Sequence, residues 1–302
     1  MSRACRISSR AVTATANVDD AHVPVDSPGG WCAQLALGFV AAGGRCRLDR
    51  RQHNGPLRVQ RPFYPEGDDL CHVYVLHPPG GIVGGDRLAL TVDVGPGARA
   101  LLTTPAATKV YDSRKSALRS QQTAVLRVAA GASLEWLPQE TIVFDGARID
   151  VTTTVALEPG AAFAGWDIVC LGRPASDETF ARGSYRQRFE IWRGDDPLCI
   201  ERAQVDGGAP VLDAAWGLGG ATTVGTFLCS PSCPELLDDV RALSATLGSG
   251  ERVSATDLGQ VMAVRYLGTS GLRARDYFNR VWDRLRPALL GRPSHPPRIW
   301  WT

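Results

Sequence analysis

Lysine is nearly missing from this chain. Of 33 basic residues only Lys109 and Lys115 are lysines, and the rest are arginines. Such a bias reflects gene base composition rather than a phosphate-binding surface. With 31 acidic residues the net charge is only +2, so there is no strong field for nucleic acid. A Gly-Lys-Ser/Thr phosphate loop is absent as well. Eight cysteines occur, at 5, 32, 46, 71, 170, 199, 229 and 233, but no C-x-x-C. Cys229 and Cys233 have no histidine nearby to complete a zinc set. Scattered cysteines of this kind read as small buried hydrophobes kept reduced, and without a secretory signal the expected compartment is the cytoplasm. No membrane span is expected either, because the longest apolar stretch, 31–43, contains Gln34 and falls far short of the roughly 20 residues required.

A glycine loop stands out against these absences. His77-Pro-Pro-Gly-Gly-Ile-Val-Gly-Gly-Asp86 places Gly80, Gly81, Gly84 and Gly85 close together. A dinucleotide fingerprint needs G-x-G-x-x-G between a strand and a helix. The spacing here is G-G-x-x-G-G, and Leu88, Leu90, Val92 and Val94 then alternate on one face, the signature of a strand. The loop is therefore read as a tight connection between two strands.

Three segments share a strand, a Gly-Ala corner and a second apolar run. The corners are Gly97-Ala98, Gly131-Ala132 and Gly160-Ala161, which recur at a similar but not identical period. A unit repeated in this way implies a mainly β fold of stacked sheets, either a β-helix-like solenoid or a large sandwich built of ordinary hairpins. The last eighty or so residues change character. A strand over 221–228 is followed by a helix over 232–247, a strand over 261–267, and a helix from Ser270 that ends before Pro287 and turns Tyr277, Val281, Trp282 and Leu285 inward. Residues 1–30 are expected to be a disordered tail. Residues 31–302 are expected to be one domain, a β body to 220 with two α-helices in the C-terminal region packed on it. The closing Trp300-Trp301 is too aromatic for a solvated end and is expected to dock, on this chain or on a partner.

Catalytic patterns are weak. His72 and His77 leave a strand on opposite faces, so a shared metal is not expected. Glu140 and Asp145 diverge in the same way, whereas a glycosidase pair must lie about 5 to 9.5 Å apart. No Gly-x-Ser-x-Gly elbow is present. Carboxylates do recur beside glycine-rich or apolar strands: Asp86, Glu140, Asp145, Asp167 and Glu178. Singly, each reads as a turn acceptor or an arginine partner. Together, they could line a polar passage, since oxygen ligands hold a hard or borderline divalent cation loosely.

Longer runs carry more. Gly55-Pro-Leu-Arg-Val-Gln-Arg-Pro-Phe-Tyr-Pro-Glu66, the loop from Leu76 to Asp86, Leu102-Thr-Thr-Pro-Ala-Ala-Thr-Lys109, Leu134-Glu-Trp-Leu-Pro-Gln-Glu-Thr-Ile142, Gly165-Trp-Asp167, Cys170-Leu-Gly-Arg-Pro174 and Pro297-Arg-Ile-Trp300 resemble, in order, the urease accessory protein UreD family, also called UreH. The resemblance covers about residues 30–302. It implies a maturation factor without catalysis of its own. Such a factor binds the urease apoprotein with UreF and the GTPase UreG, and holds no permanent cofactor while nickel(II) passes in transit through an internal tunnel. It also implies a mainly β fold with helically arranged sheets and two helices. Asp86, Glu140, Asp145, Asp167 and Glu178 stand in or beside the shared runs and are expected to line the nickel route. The glycine loop (Gly80, Gly81, Gly84, Gly85) and Trp300-Trp301 are expected at partner interfaces. One departure is Tyr111-Asp-Ser-Arg114, where relatives often have Tyr-Arg-Ser, so that an acid is added and the arginine is shifted.

Overall fold

A computed structural model describes residues 29–301, and the expected tail therefore lies almost entirely outside the described residues. The strands of the first half are β1 (Cys32–Ala42), β2 (Arg45–Asn54), β3 (Arg58–Val59), β4 (Cys71–Leu76), β5 (Arg87–Val94), β6 (Arg99–Thr103), β7 (Thr108–Val110), β8 (Ser120–Val128), β9 (Ser133–Leu137) and β10 (Thr141–Val143). They are followed by β11 (Arg148–Leu157), β12 (Ala162–Leu171), β13 (Ser184–Arg193), β14 (Asp196–Asp206), β15 (Thr223–Ser230), α1 (Leu237–Ala242), β16 (Arg252–Asp257), β17 (Met262–Gly268) and α2 (Gly271–Leu290). One sheet has seven strands in the order β14-β13-β11-β8-β5-β1-β2. The other has ten, running β16-β17-β15-β12-β9-β6-β4-β3, with β7 and β10 joined beside β12.

The repeat seen in the sequence is the pitch of a coil. From β4 to β13 the main strands alternate between the sheets, and within each sheet they pair in parallel with the strand one turn away. Arg87 pairs with Gln121, the same step along the chain that separates Gly97 from Gly131. Ser120 pairs with Ile149, the same step that separates Gly131 from Gly160. These three glycines take φ of +67°, +66° and +75°, a turn that a side chain would strain. Of the two arrangements left open by the sequence, parallel pairing selects the β-helix-like one, because hairpins would pair antiparallel.

Two apolar layers result. The first fills the space between the sheets. The second lies between the outer face of the ten-stranded sheet and α2, and there Trp166, Phe227, Phe278, Val281, Trp282 and Trp300 pack together. Strand β9 is buried along its whole length because both of its faces are covered. Strands β15, β17 and β16 extend this sheet by antiparallel pairing.

The helices differ from expectation in detail. The segment expected as one helix over 232–247 has only Leu237–Ala242 in α form, flanked by 3-10 turns at Pro234–Leu236 and Leu243–Thr246. Helix α2 starts at the expected Ser270 cap, whose hydroxyl accepts from the Arg273 amide at 3.4 Å. It then runs through Pro287 to Leu290 and closes on Gly291 at φ +70°. Proline removes one N–H so near the helix end that a final turn still forms.

Trp166 ties the layers together: it is 1% exposed, its ring centroid lies 6.2 Å from that of Phe278, and its Nε1 donates to the Pro138 carbonyl at 2.7 Å. Trp166→Ala is expected to cost about 3–5 kcal/mol, measured by chemical denaturation, with the strand signature of the circular dichroism spectrum retained.

Candidate functional site

The glycine loop joins β4 to β5, as the sequence predicts, and most of it is covered by its own chain. The Ile82 amide donates to the Lys109 carbonyl at 2.7 Å and the Tyr111 amide to the Ile82 carbonyl at 2.8 Å, so the loop forms one more rung beside β7. A Cβ on Gly81 would come within 2.2 Å of the Tyr111 ring, and one on Gly84 within 2.2 Å of the Ser116 hydroxyl. Gly85 is buried at φ +95°, and of the four glycines only Gly80 is exposed. Close approach of neighbours explains Gly81 and Gly84, and positive φ explains Gly80, at +78°, and Gly85. Asp86 is 4% exposed and turned into the loop, where it accepts from the Trp31 amide at 2.8 Å and the Val83 amide at 2.9 Å.

Between the two sheets lies a cavity of about 450 Å³. Register explains its position. Leu90, Ala124, Thr153 and Phe189 form one inward-facing rung, in which two small side chains sit together, whereas the next rung, Val92, Leu126, Val155 and Ile191, is filled. On the other side, the rung of Leu88, Gln122, Val151 and Gln187 brings two amides into the interior. His77, Gly80, Gly81 and the 104–109 segment line one end, and because Gly80, Ala106 and Lys109 are also exposed, the cavity opens there.

Asp167 reaches this cavity from β12 in the facing sheet. Its Oδ2 accepts from the Tyr185 hydroxyl at 3.1 Å and the Gln187 amide at 2.6 Å, both from β13. Burial pushes the Asp167 carboxyl above its usual range, against these hydrogen bonds, which favour the ionised form. Burial likewise lowers the His77 imidazole, opposed by the charge of Asp86.

The other three carboxylates belong to arginines. Glu140 lies 3.3 Å from Arg275 of α2. At the corner after β10, Asp145 accepts from the Arg182 amide at 2.8 Å and its Nε at 3.0 Å. Burial works against ionisation there, but Arg182 outweighs it and holds Asp145 below the usual carboxylate range. Glu178 is gripped by Arg173 at 3.2 and 2.7 Å, which lowers it, and it also accepts from the Asp145 amide at 3.1 Å. The added acid and shifted arginine of the 111–114 segment pair with each other, Asp112 to Arg114 at 2.5 Å, and Arg114 also reaches 4.0 Å from Asp145. Asp145 and Glu178 thus meet in one surface network, Glu140 stands apart, and of the five expected acids only Asp167 lies on the cavity wall.

A second cluster is foreshadowed by no motif. Arg286 is fully buried, and its guanidinium donates to both oxygens of Glu135 at 2.9 Å and to those of Glu66 at 2.6 and 2.8 Å. Trp282 Nε1 adds a bond to Glu135 at 2.6 Å, and His72 Nε2 lies 2.8 Å from Glu66. Burial raises the Glu66 carboxyl, but His72 and Arg286 overcome it and set it at about 2. The available signal is an arginine one helical turn from Trp282, on the inward stripe of α2, with Glu135 set in an apolar strand. Trp300 is turned inward as well: it packs against Trp166 and Trp282, and its Nε1 donates to the Thr103 hydroxyl at 2.7 Å. Trp301 is 70% exposed, so it is the member of the pair that stays open to a partner.

Fold and site together define a β-helical scaffold, an ion-paired frame around an internal cavity. Among the described residues no group of three or more His, Cys, Asp or Glu is placed to hold a metal. Among them, too, no helix is long and apolar enough to cross a membrane. The chain belongs to the UreD urease accessory protein family, whose model matches residues 32–301. It is 46% identical over 284 residues to the urease accessory protein UreD of Dechloromonas aromatica, covering 92% of this chain and 97% of that one. Identity to UreD of Pseudomonas putida W619 is 47% over 273 residues (90% and 95% covered), and to UreD of Klebsiella pneumoniae 45% over 276 residues (90% and 96%). Its role is therefore in urease maturation, as a non-catalytic accessory.

Arg286→Met would leave Glu66 and Glu135 buried without their cation and is expected to cost about 3–5 kcal/mol in denaturant unfolding. Glu66 is held below its ordinary value of 4.5, so its contribution is fully present above that pH and is lost as pH falls towards about 2. Glu66→Gln should therefore melt below the wild type at neutral pH and show a flatter decline between pH 4.5 and 2.

Proposed function

We propose that this chain acts in the cytoplasm with UreF and the GTPase UreG on the urease apoprotein, and that it helps deliver nickel through its internal cavity. Family membership supports the urease role, and the cavity carries the more specific reading. It opens beside Gly80 and Lys109, runs between the sheets, and bears a carboxylate on its wall at Asp167. Nickel is cargo here. Oxygen donors suit such a task, because a borderline divalent cation bound by few oxygens is released easily. Trp301 and the exposed Gly80 end of the loop are surfaces for the partners. Asp86, Glu140, Asp145 and Glu178 serve this function by fixing loops and the helix rather than by lining the cavity.

The test is co-expression with a urease operon lacking its own copy of this gene, reading nickel per urease active site. Ala106→Trp places a bulky ring at the cavity mouth, on an exposed residue. The variant is expected to co-purify with urease as well as the wild type does while nickel loading falls at least ~10-fold. Full loading with urease still bound would leave a binding scaffold without a passage.

A further inference from the structure

The long walls of the cavity are apolar. Val75, Leu88, Leu90, Ala124, Val151 and Trp136 supply them, drawn from both sheets. These walls are reachable from outside: Leu90 and Ala124 keep 7% and 5% exposure, whereas Val92, Leu126 and Val155, one rung further on, are at 0%. Water against such a surface finds few partners, and apolar matter that displaces it is favoured. The shape is elongated. The walls run across β5, β8 and β11, which are neighbours in the sheet, so at about 4.8 Å per strand they span about 10 Å. That span and a volume of about 450 Å³ suit one aliphatic chain of about eight to ten carbons.

The end beside the 104–109 segment carries donors without partners. Gln139 is 5% exposed and lines the cavity, and its Nε2 has no hydrogen-bond partner. Its orientation is fixed, because the backbone amide donates to the Thr104 hydroxyl at 2.8 Å and the side-chain oxygen is taken by Arg275. A buried amide donor left unpaired is costly, and an acceptor brought by a ligand removes that cost. Lys109 stands at the opening, exposed, and among the described residues no ion pair joins its side chain to an acid. Among those residues Asp167 is the one acid on the wall. It already receives Tyr185 and Gln187, and it sits on β12, separated from Lys109 on β7 by β10. An anionic head is therefore turned away from Asp167 and towards Lys109.

We propose that the cavity is a binding site for a medium-chain aliphatic carboxylate. Its chain lies across β5, β8 and β11, and its carboxylate sits at the opening, where it accepts from Lys109 Nζ and Gln139 Nε2. The apolar wall selects for chain length and the two donors select for the head. The site does not depend on nickel passing through the cavity, but a bound chain fills the same space, so ligand and passing ion exclude one another.

The experiment is isothermal titration calorimetry of the purified full chain with decanoate at neutral pH. One decanoate per chain is expected, with a negative heat-capacity change from the apolar burial. Hexanoate, which loses methylenes from the wall, should bind at least ~10-fold more weakly. Lys109→Glu is expected to weaken decanoate at least ~10-fold while leaving decanol within about threefold of its wild-type affinity. Ala124→Phe fills the room and should abolish binding of both, and Ala106→Trp at the exposed opening carries the same expectation if Ala124→Phe loses its native circular dichroism spectrum. The proposal is overturned if the wild type shows no saturable binding, or if a natively folded Ala124→Phe or Ala106→Trp binds decanoate unchanged, which would put the ligand on the surface. It is equally overturned if decylammonium binds as tightly as decanoate and Lys109→Glu changes nothing, since the donors at the opening would then recognise no head.

Discussion

The buried guanidinium of Arg286 is the constraint on which the arrangement of this molecule depends. It gathers Glu66 from the loop before β4, Glu135 from β9, and the Pro293 carbonyl from the segment after α2. Four parts of the chain are thereby fixed at one point. An apolar stripe alone would tolerate sliding of the helix along the sheet, but a planar fork bonded to two carboxylates accepts one position. Once α2 is placed, Trp282 and Trp300 close over Trp166, and the second apolar layer is sealed.

The coil has a different logic. Its stability comes from each turn lying on the next, and the corners with left-handed glycines set where each strand begins. The parallel register then decides which inward side chains become neighbours. Ala124 beside Thr153 leaves space, and Gln122 and Gln187 make the adjoining rung polar. The cavity is thus a consequence of pairing rather than of any one residue. The carboxylate that faces it comes from the opposite sheet and is oriented by side chains that cross between the two.

Much of this is legible in the sequence. The Gly-Ala corners give the pitch of the coil, the alternation after Asp86 gives β5, and the inward stripe of α2 gives Tyr277, Val281, Trp282 and Leu285. The long shared runs give the family. The choice between sandwich and coil is not legible, because corners at Gly97, Gly131 and Gly160 fit either until parallel pairing is seen. The candidate site is readable as a set of acids but not as a sorted one. Asp145 and Glu178 differ from Asp167 only in what lies across from them, and most of those partners come from other segments, Arg182 and Gln187 among them. Arg286 is noticeable as a charge on an apolar stripe, although its two partners, 220 and 151 residues away, are not.

The turns of the coil are unequal, since Gly97 stands farther from Gly131 than Gly131 does from Gly160, and the surplus has a location. The corner from Val110 to Gln121 is longer than the equivalent corners from Ile82 to Arg87 and from Val143 to Asp150, yet the paired strands on both sides stay in register. This longer corner leans on Gly81 and Gly84 through Tyr111, Ser113 and Ser116. Extra length is therefore accommodated at 111–119 without unwinding the sheets, and it is taken up by packing on the glycine loop.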